Sequence, residues 1–139
     1  MILLDTCVIS EMLRPEPSPN VSDWLESLPE EQVYLPALVI GELEKGVELQ
    51  QDGATRSALR IWLEQLRHRF SGRIVDFDEQ TALQWGGLTA RCRKTGRKLP
   101  VIDSILAAGA LQHAAVLATR NVQDFEGTGI EILNPWDYR

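Results

Sequence analysis

At 139 residues, with 44% hydrophobic and 24% charged side chains, the chain is sized for one soluble domain, residues 1–139, and is too short for two comfortable ones. No apolar run approaches the roughly 18 residues that span a bilayer. The start Met1-Ile2-Leu3-Leu4-Asp5 also lacks a signal peptide's basic segment and apolar length, so the expectation is a cytoplasmic protein with no membrane attachment and with reduced Cys7 and Cys92. A net charge of −6 speaks against broad coating of nucleic acid, yet clustered acids at one site would lower the sum while a local basic patch still held phosphates.

In chain order, residues 2–4 are apolar without alternation, as in a strand covered on both faces of a parallel sheet. Arg14-Pro15-Glu16-Pro17-Ser18-Pro19-Asn20 cannot continue a helix and is read as a loop. A helix is expected over 21–28, with Trp24, Leu25 and Leu28 on one side, then a short strand over 33–35 ended by Pro36. Residues 37–51 and 55–69 carry apolar residues at helical spacing, and Glu44, Lys45 and Glu48 form a solvated face. A strand over 73–77 and a helix over 79–95 follow, with Gly96 placed as a C-cap glycine. The helix over 103–113 is apolar nearly all round and therefore central. Strands over 115–119 and 130–133 complete an alternating pattern that implies an open parallel sheet with helices on both faces.

Three acids occupy places where burial is expected. Asp5 closes the first strand, at the edge where ligands bind in open α/β sheets. Glu42 lies within roughly 40° of Leu38, Gly46 and Leu49 on its helix, on a face read as inward with room beside Gly46. Asp103 opens the central helix. Each has a plainer reading: a turn cap for Asp5, an arginine-paired acid at the core edge for Glu42, an N-cap for Asp103. Jointly they imply a shared cation, because two carboxylates roughly 4 Å apart repel by about 4 kcal/mol at an effective dielectric near 20. Oxygen ligands without a histidine or cysteine cluster favour Mg²⁺ or Mn²⁺ over Zn²⁺. His68 and His113 fall in no motif and are read as structural or exposed.

The run Leu3-Leu4-Asp5-Thr6-Cys7-Val8-Ile9-Ser10-Glu11 resembles the opening of the PIN-domain ribonucleases, in particular the VapC-type toxins of type II toxin–antitoxin systems. Gly41-Glu42-Leu43-Glu44-Lys45-Gly46, Asp103-Ser104-Ile105-Leu106-Ala107-Ala108 and Ala118-Thr119-Arg120-Asn121-Val122-Gln123-Asp124-Phe125 are similar to the later motifs, in the right order. Asn134-Pro135-Trp136 is similar to the FitB-like branch. The resemblance covers essentially the whole chain, and its weight lies in the ordered set.

It implies a PIN-like three-layer α/β/α sandwich around a central parallel sheet of about five strands. It also implies a Mg²⁺- or Mn²⁺-dependent endoribonuclease in which Asp5, Glu42 and Asp103 bind metal. The family often adds a fourth acid after the fourth strand. Here Asn121 follows Thr119-Arg120, with Asp124 three residues on, so the catalytic set is completed by Asp124, shared with a neutral Asn121, or left at three acids. Thr6 matches the hydroxyl residue beside the first aspartate, which orients a carboxylate or water; a strand-end hydroxyl bonded to backbone is the alternative. Position 7 is usually Asn or Ser, so Cys7 takes a strong hydrogen-bonding partner away from the site. Glu11 echoes the pattern and is read as a helix-surface acid. The implied partners are an RNA substrate, a second copy in a homodimer, and a small antitoxin that points an arginine into the acids. With that antitoxin the assembly is a heterotetramer or larger, and operator DNA is contacted only through it.

Competing readings are a housekeeping PIN nuclease without an antitoxin and a catalytically weak PIN scaffold acting through antitoxin and DNA. A receiver domain would need an acceptor aspartate after the third strand and a lysine after the fifth, and neither is apparent. An Asp-x-Asp phosphatase fails because Cys7 stands at the second aspartate. Among the basic residues, Arg93, Lys94, Arg97 and Lys98, next to Arg91, are the candidate RNA-backbone contacts, although cations at a helix end also offset its dipole. Trp24, Trp62 and Trp85 fall on apolar stripes and are expected in the core or an interface.

Overall fold

Ile2–Leu4 forms strand β1, whose apolar side chains leave no polar face. The computed structural model describes all residues from Met1 to Arg139. The further strands are β2 (Val33–Pro36), β3 (Ile74–Val75), β4 (Val116–Ala118) and β5 (Glu131–Leu133). Every pairing is parallel and the order is β3-β2-β1-β4-β5. Leu3 stands opposite Tyr34 on one side and Leu117 on the other. The chain thus builds outward from β1 in one direction and then returns past it to add β4 and β5. Ligand crevices of open sheets form at such a reversal.

The helices are α1 (Thr6–Glu11), α2 (Pro19–Ser27), α3 (Ala37–Glu48), α4 (Gly53–Arg69), α5 (Glu79–Lys94) and α6 (Val101–His113). Helices cover both faces: Leu4 lines a groove with residues of α1, α2 and α4, whereas Leu3, whose side chain alternates to the other face, lies against Gly109 of α6, on which α5 packs. Leu3, Leu35, Val39, Leu88, Ala107 and Leu117 are fully buried between the layers. Each large one contributes roughly 1.5–3 kcal/mol through burial. Small residues Ala107, Ala108 and Ala110 let α6 lie close against the sheet and α5. No helix is long and apolar enough to cross a membrane.

The parallel sheet and the helix order agree with the sequence reading, and several boundaries move. A helix, α1, follows β1 at once; it is too short for periodicity to reveal. The helix expected over 103–113 begins two residues earlier at Val101 with Pro100 as its cap, so Asp103 is not an N-cap and sits in the first turn. Only Ile74 and Val75 pair of the strand expected over 73–77. Gly96 does terminate α5. It takes φ +72, while the Arg97 N–H bonds the Cys92 carbonyl and the Gly96 N–H bonds that of Arg93, a Schellman turn.

Glu11 is a correction of a different kind. It is buried, not a surface acid, because the Ser18 N–H donates to Oε1 at 3.0 Å and Arg14 lies 3.5 Å from Oε2. Trp24 is buried, and Trp85 donates to Ser104 Oγ at 2.8 Å. Trp62 is half-buried on an apolar groove of about 430 Å³ between α1, α2 and α4, lined also by Ile9, Met12, Leu25 and Phe70.

Candidate functional site

Asp5 leaves the C-terminal end of β1 at the point where the strand order reverses. Its carboxylate is buried and fully engaged: Oδ1 accepts the Thr6 N–H at 2.7 Å and Oδ2 accepts the Thr119 hydroxyl at 2.8 Å. The first bond caps α1, so the plain turn-cap reading holds as well. Capping and ligation are compatible, since each carboxylate oxygen keeps a further lone pair.

Glu42 arrives from α3, which touches both α1 and α6. The buried ridge of that helix is Val39, Leu43 and Val47, whereas Gly46 and Leu49 are exposed. The inward face inferred around Leu38, Gly46 and Leu49 is therefore displaced. Glu42 stands beside the ridge, roughly 100° around the helix from its centre. What turns it to the site is Thr6, whose hydroxyl donates to Glu42 Oε1 at 2.7 Å. Thr6 thus serves two acids, with its N–H on Asp5 and its hydroxyl on Glu42.

Asp103 projects from the first turn of α6, where a negative charge suits the helix dipole. Its carboxyl is pushed up to about 6 from an ordinary 3.8, first by burial and then by the charges of Asp124, Asp5 and Glu42 in that order. Acids from the end of β1, from α3 and from the 3-10 turn Val122–Phe125 are thus within electrostatic reach of Asp103 on α6. Asp124 is exposed on that turn and acts on Asp103 more strongly than the other two acids. Asn121 heads the turn; its N–H donates to Thr119 Oγ1 at 3.1 Å, and its side chain caps nothing.

The donor set suits a hard divalent ion in kind: oxygens alone, two of the carboxylates pre-oriented by hydroxyls, and a third whose charge, costly through burial and nearby acids, a cation would offset. No three of these acids stand at ion-holding distance from a common point. Asp103 and Asp124 meet the others at electrostatic range, and closer approach by like charges is costly. His68 and His113 lie on α4 and α6, and neither contributes to the raised pKa of Asp103.

Thr119 is the residue that the sequence reading missed. It is fully buried at the end of β4, and its hydroxyl serves Asp5, the Asn121 N–H and, at 3.7 Å, Cys7 Sγ. A hydroxyl at the C-terminal end of a central strand was the available signal. Cys7 keeps a weak place in this network by accepting the Arg120 N–H at 3.5 Å; burial pushes its thiol above the ordinary range, so it stays protonated. Replacing Thr119 by Val leaves Asp5 Oδ2 and the Asn121 N–H without their partner and is expected to cost about 1–2 kcal/mol in urea unfolding. Thr119→Ser should restore most of that loss.

Of the candidate RNA contacts, Arg93, Lys94 and Lys98 are exposed. Arg97 is partly committed elsewhere: it donates to the Gln123 carbonyl at 3.1 Å and lies against Gly127, where a Cβ would come within 3.2 Å of it.

The fold and these side chains define an open-sheet α/β protein with a carboxylate-lined edge at its switch point. Within that class the chain belongs to the PIN-domain family, whose pattern matches residues 2–129. It is 41% identical to the toxin FitB of Neisseria gonorrhoeae over 137 residues, which is 98% of this chain and 99% of FitB. Over 138 residues it is 33% identical to the VapC ribonuclease Y4jK of Sinorhizobium fredii, covering 99% of each. A solved structure of FitAB bound to an IR36 DNA fragment superposes with a TM-score of 0.94 at 38% identity, over 100% of this chain and 98% of that one.

Proposed function

We propose that the chain acts as one PIN domain over residues 1–139, a cytoplasmic Mg²⁺- or Mn²⁺-dependent endoribonuclease that is the toxin of a type II toxin–antitoxin pair. The observation that carries the reading is the convergence on Asp103: beyond the effect of burial, its carboxyl is pushed up by the charges of Asp124, Asp5 and Glu42 together. The toxin FitB and the ribonuclease Y4jK, each aligned along nearly the whole chain, support the toxin and RNA-cleaving parts. The FitAB–DNA structure supports a small antitoxin partner through which operator DNA is reached. A homodimer, enlarged by antitoxin to a heterotetramer or more, belongs to the same proposal.

Asp5, Glu42 and Asp103 would hold the ion, with Asp124 as the fourth acid and Asn121 a neutral neighbour. When bound, the ion supplies an activated water and offsets charge on the transferring phosphoryl group. The chain's own part is orientation. Thr119 and the Thr6 N–H fix the two oxygens of Asp5, and the Thr6 hydroxyl fixes Glu42. Both hydroxyl bonds arrive at charged acceptors, the stronger kind.

Purified protein is expected to cut RNA with Mn²⁺ or Mg²⁺, to stop when EDTA is added, and to lose cleavage in Asp5→Asn. Asp124→Asn should reduce the rate more than Asn121→Ala. A wild type inactive on diverse RNAs with Mn²⁺ would sink the enzyme reading in favour of the weak scaffold.

A further inference from the structure

Fourteen lysines and arginines face twenty acids in this chain, so the places where cations stand unpaired are informative. Six of them, Arg14, Arg56, Arg60, Arg67, Arg69 and Arg73, are held in ion pairs with glutamates. Eight remain, and five of those eight lie in one short stretch: Arg91, Arg93, Lys94, Arg97 and Lys98. No other stretch of the sequence holds more than one unpaired cation. The helix dipole accounts for part of this, since Arg91, Arg93 and Lys94 occupy the last turn of α5. Arg97 and Lys98 lie beyond the Schellman turn, and the dipole does not explain them.

Arg93, Arg97 and Lys98 line an open groove of about 610 Å³ together with Thr89, Leu99 and Pro100. One end of its lining is Pro100, which caps α6 three residues before Asp103. The Arg97 guanidinium reaches from this lining to the carbonyl of Gln123, the residue before Asp124. The groove is therefore joined to both elements that carry Asp103 and Asp124. In a protein of net charge −6, a polyanion approaching a carboxylate-lined edge must be held by local cations.

We propose that this groove carries the phosphate backbone of an RNA strand to the acids, with Arg93 and Lys98 as its phosphate contacts. Arg97 is the positioning residue that ties the groove wall to the turn bearing Asp124. The proposal rests on the ribonuclease reading above and adds the substrate's path.

The test is fluorescence anisotropy of a labelled oligouridylate with Asp103→Asn protein, which binds without cutting, across a potassium chloride series of roughly 50–200 mM. Adding Arg93→Gln and Lys98→Gln is expected to weaken binding about tenfold at low salt. It should also reduce the slope of log affinity against log salt by about 1.4, from two single-strand contacts. Arg56→Gln with Arg67→Gln, on the ion-paired side, should change neither. Unchanged affinity and slope in the first pair, an equal loss in the second, or no RNA binding by the Asp103→Asn parent would each overturn the groove. If wild-type protein still cuts RNA with Mn²⁺ in that event, the ribonuclease reading survives it. Absence of cleavage by the wild type removes that reading instead.

Discussion

Replacing Asp103 by asparagine is expected to cut RNA cleavage sharply while raising the melting temperature of the metal-free protein. The two effects have one cause. Burial and the charges of Asp124, Asp5 and Glu42 raise the Asp103 carboxyl to about 6 from 3.8. Between those values the unfolded chain binds fewer protons at this position than the folded one. The contribution of Asp103 to stability is therefore intact below pH 3.8, is lost as pH rises through the window, and is a full penalty above about 6. Each tenfold change in acidity corresponds to roughly 1.4 kcal/mol, and solvent screening of this partly exposed group leaves about 1 kcal/mol in total.

Asparagine removes the charge and hence the penalty. In EDTA at pH 7.5 the variant should melt about 4 °C higher than wild type, and near pH 4 the difference should vanish. Cleavage should fall on the order of 10²-fold or more, as when a group stabilising developing charge is removed. A variant that melts lower than wild type at pH 7.5 would show that Asp103 is not repelled by the other acids. Stability given up for a charged site is a common trade.

The second large effect is expected at Phe125, which ends the 3-10 turn beside Asp124 and is 1% exposed. Truncation to alanine removes most of a buried ring and should cost about 3–5 kcal/mol, a large part of the roughly 5–15 kcal/mol available to a domain of this kind. Phe125→Leu should cost much less and keep the turn in place. Leu83→Ala, at a side chain 65% exposed, should stay within about 0.5 kcal/mol of wild type. Urea unfolding separates these outcomes. A small loss at Phe125 would mean that the turn is not anchored in the core, and Asp124 would then have no fixed relation to Asp103.

Both effects depend on side chains that were visible in the sequence but whose surroundings were not. Asp5, Glu42 and Asp103 stood out as acids set in apolar stretches, and the ordered motifs pointed to one family. The arguments for Glu42 and Asp103 nevertheless differ from what the structure shows. Helical spacing put Glu42 on an inward face with Gly46, whereas the buried ridge runs through Val39, Leu43 and Val47. The start of α6 was misread because Asp103 is a good capping residue, while Pro100 ended up as the cap. Glu11 looked like surface because one short turn carries no periodic signal; a backbone N–H seven residues on made it a buried acceptor.

From the sequence alone came the five strands, β3 with its ends too wide, the long helices and the glycine that ends α5, since each depends on a few neighbouring residues and their local preferences. The folded chain alone decided which hydroxyl meets which carboxylate. Thr6 reaches Glu42 across 36 positions and Thr119 reaches Asp5 across 114, distances along the chain that only the strand order can close. Hydrogen bonds of that kind are directional and short-ranged, so no pattern in residue type announces them before the sheet has brought β1 and β4 side by side.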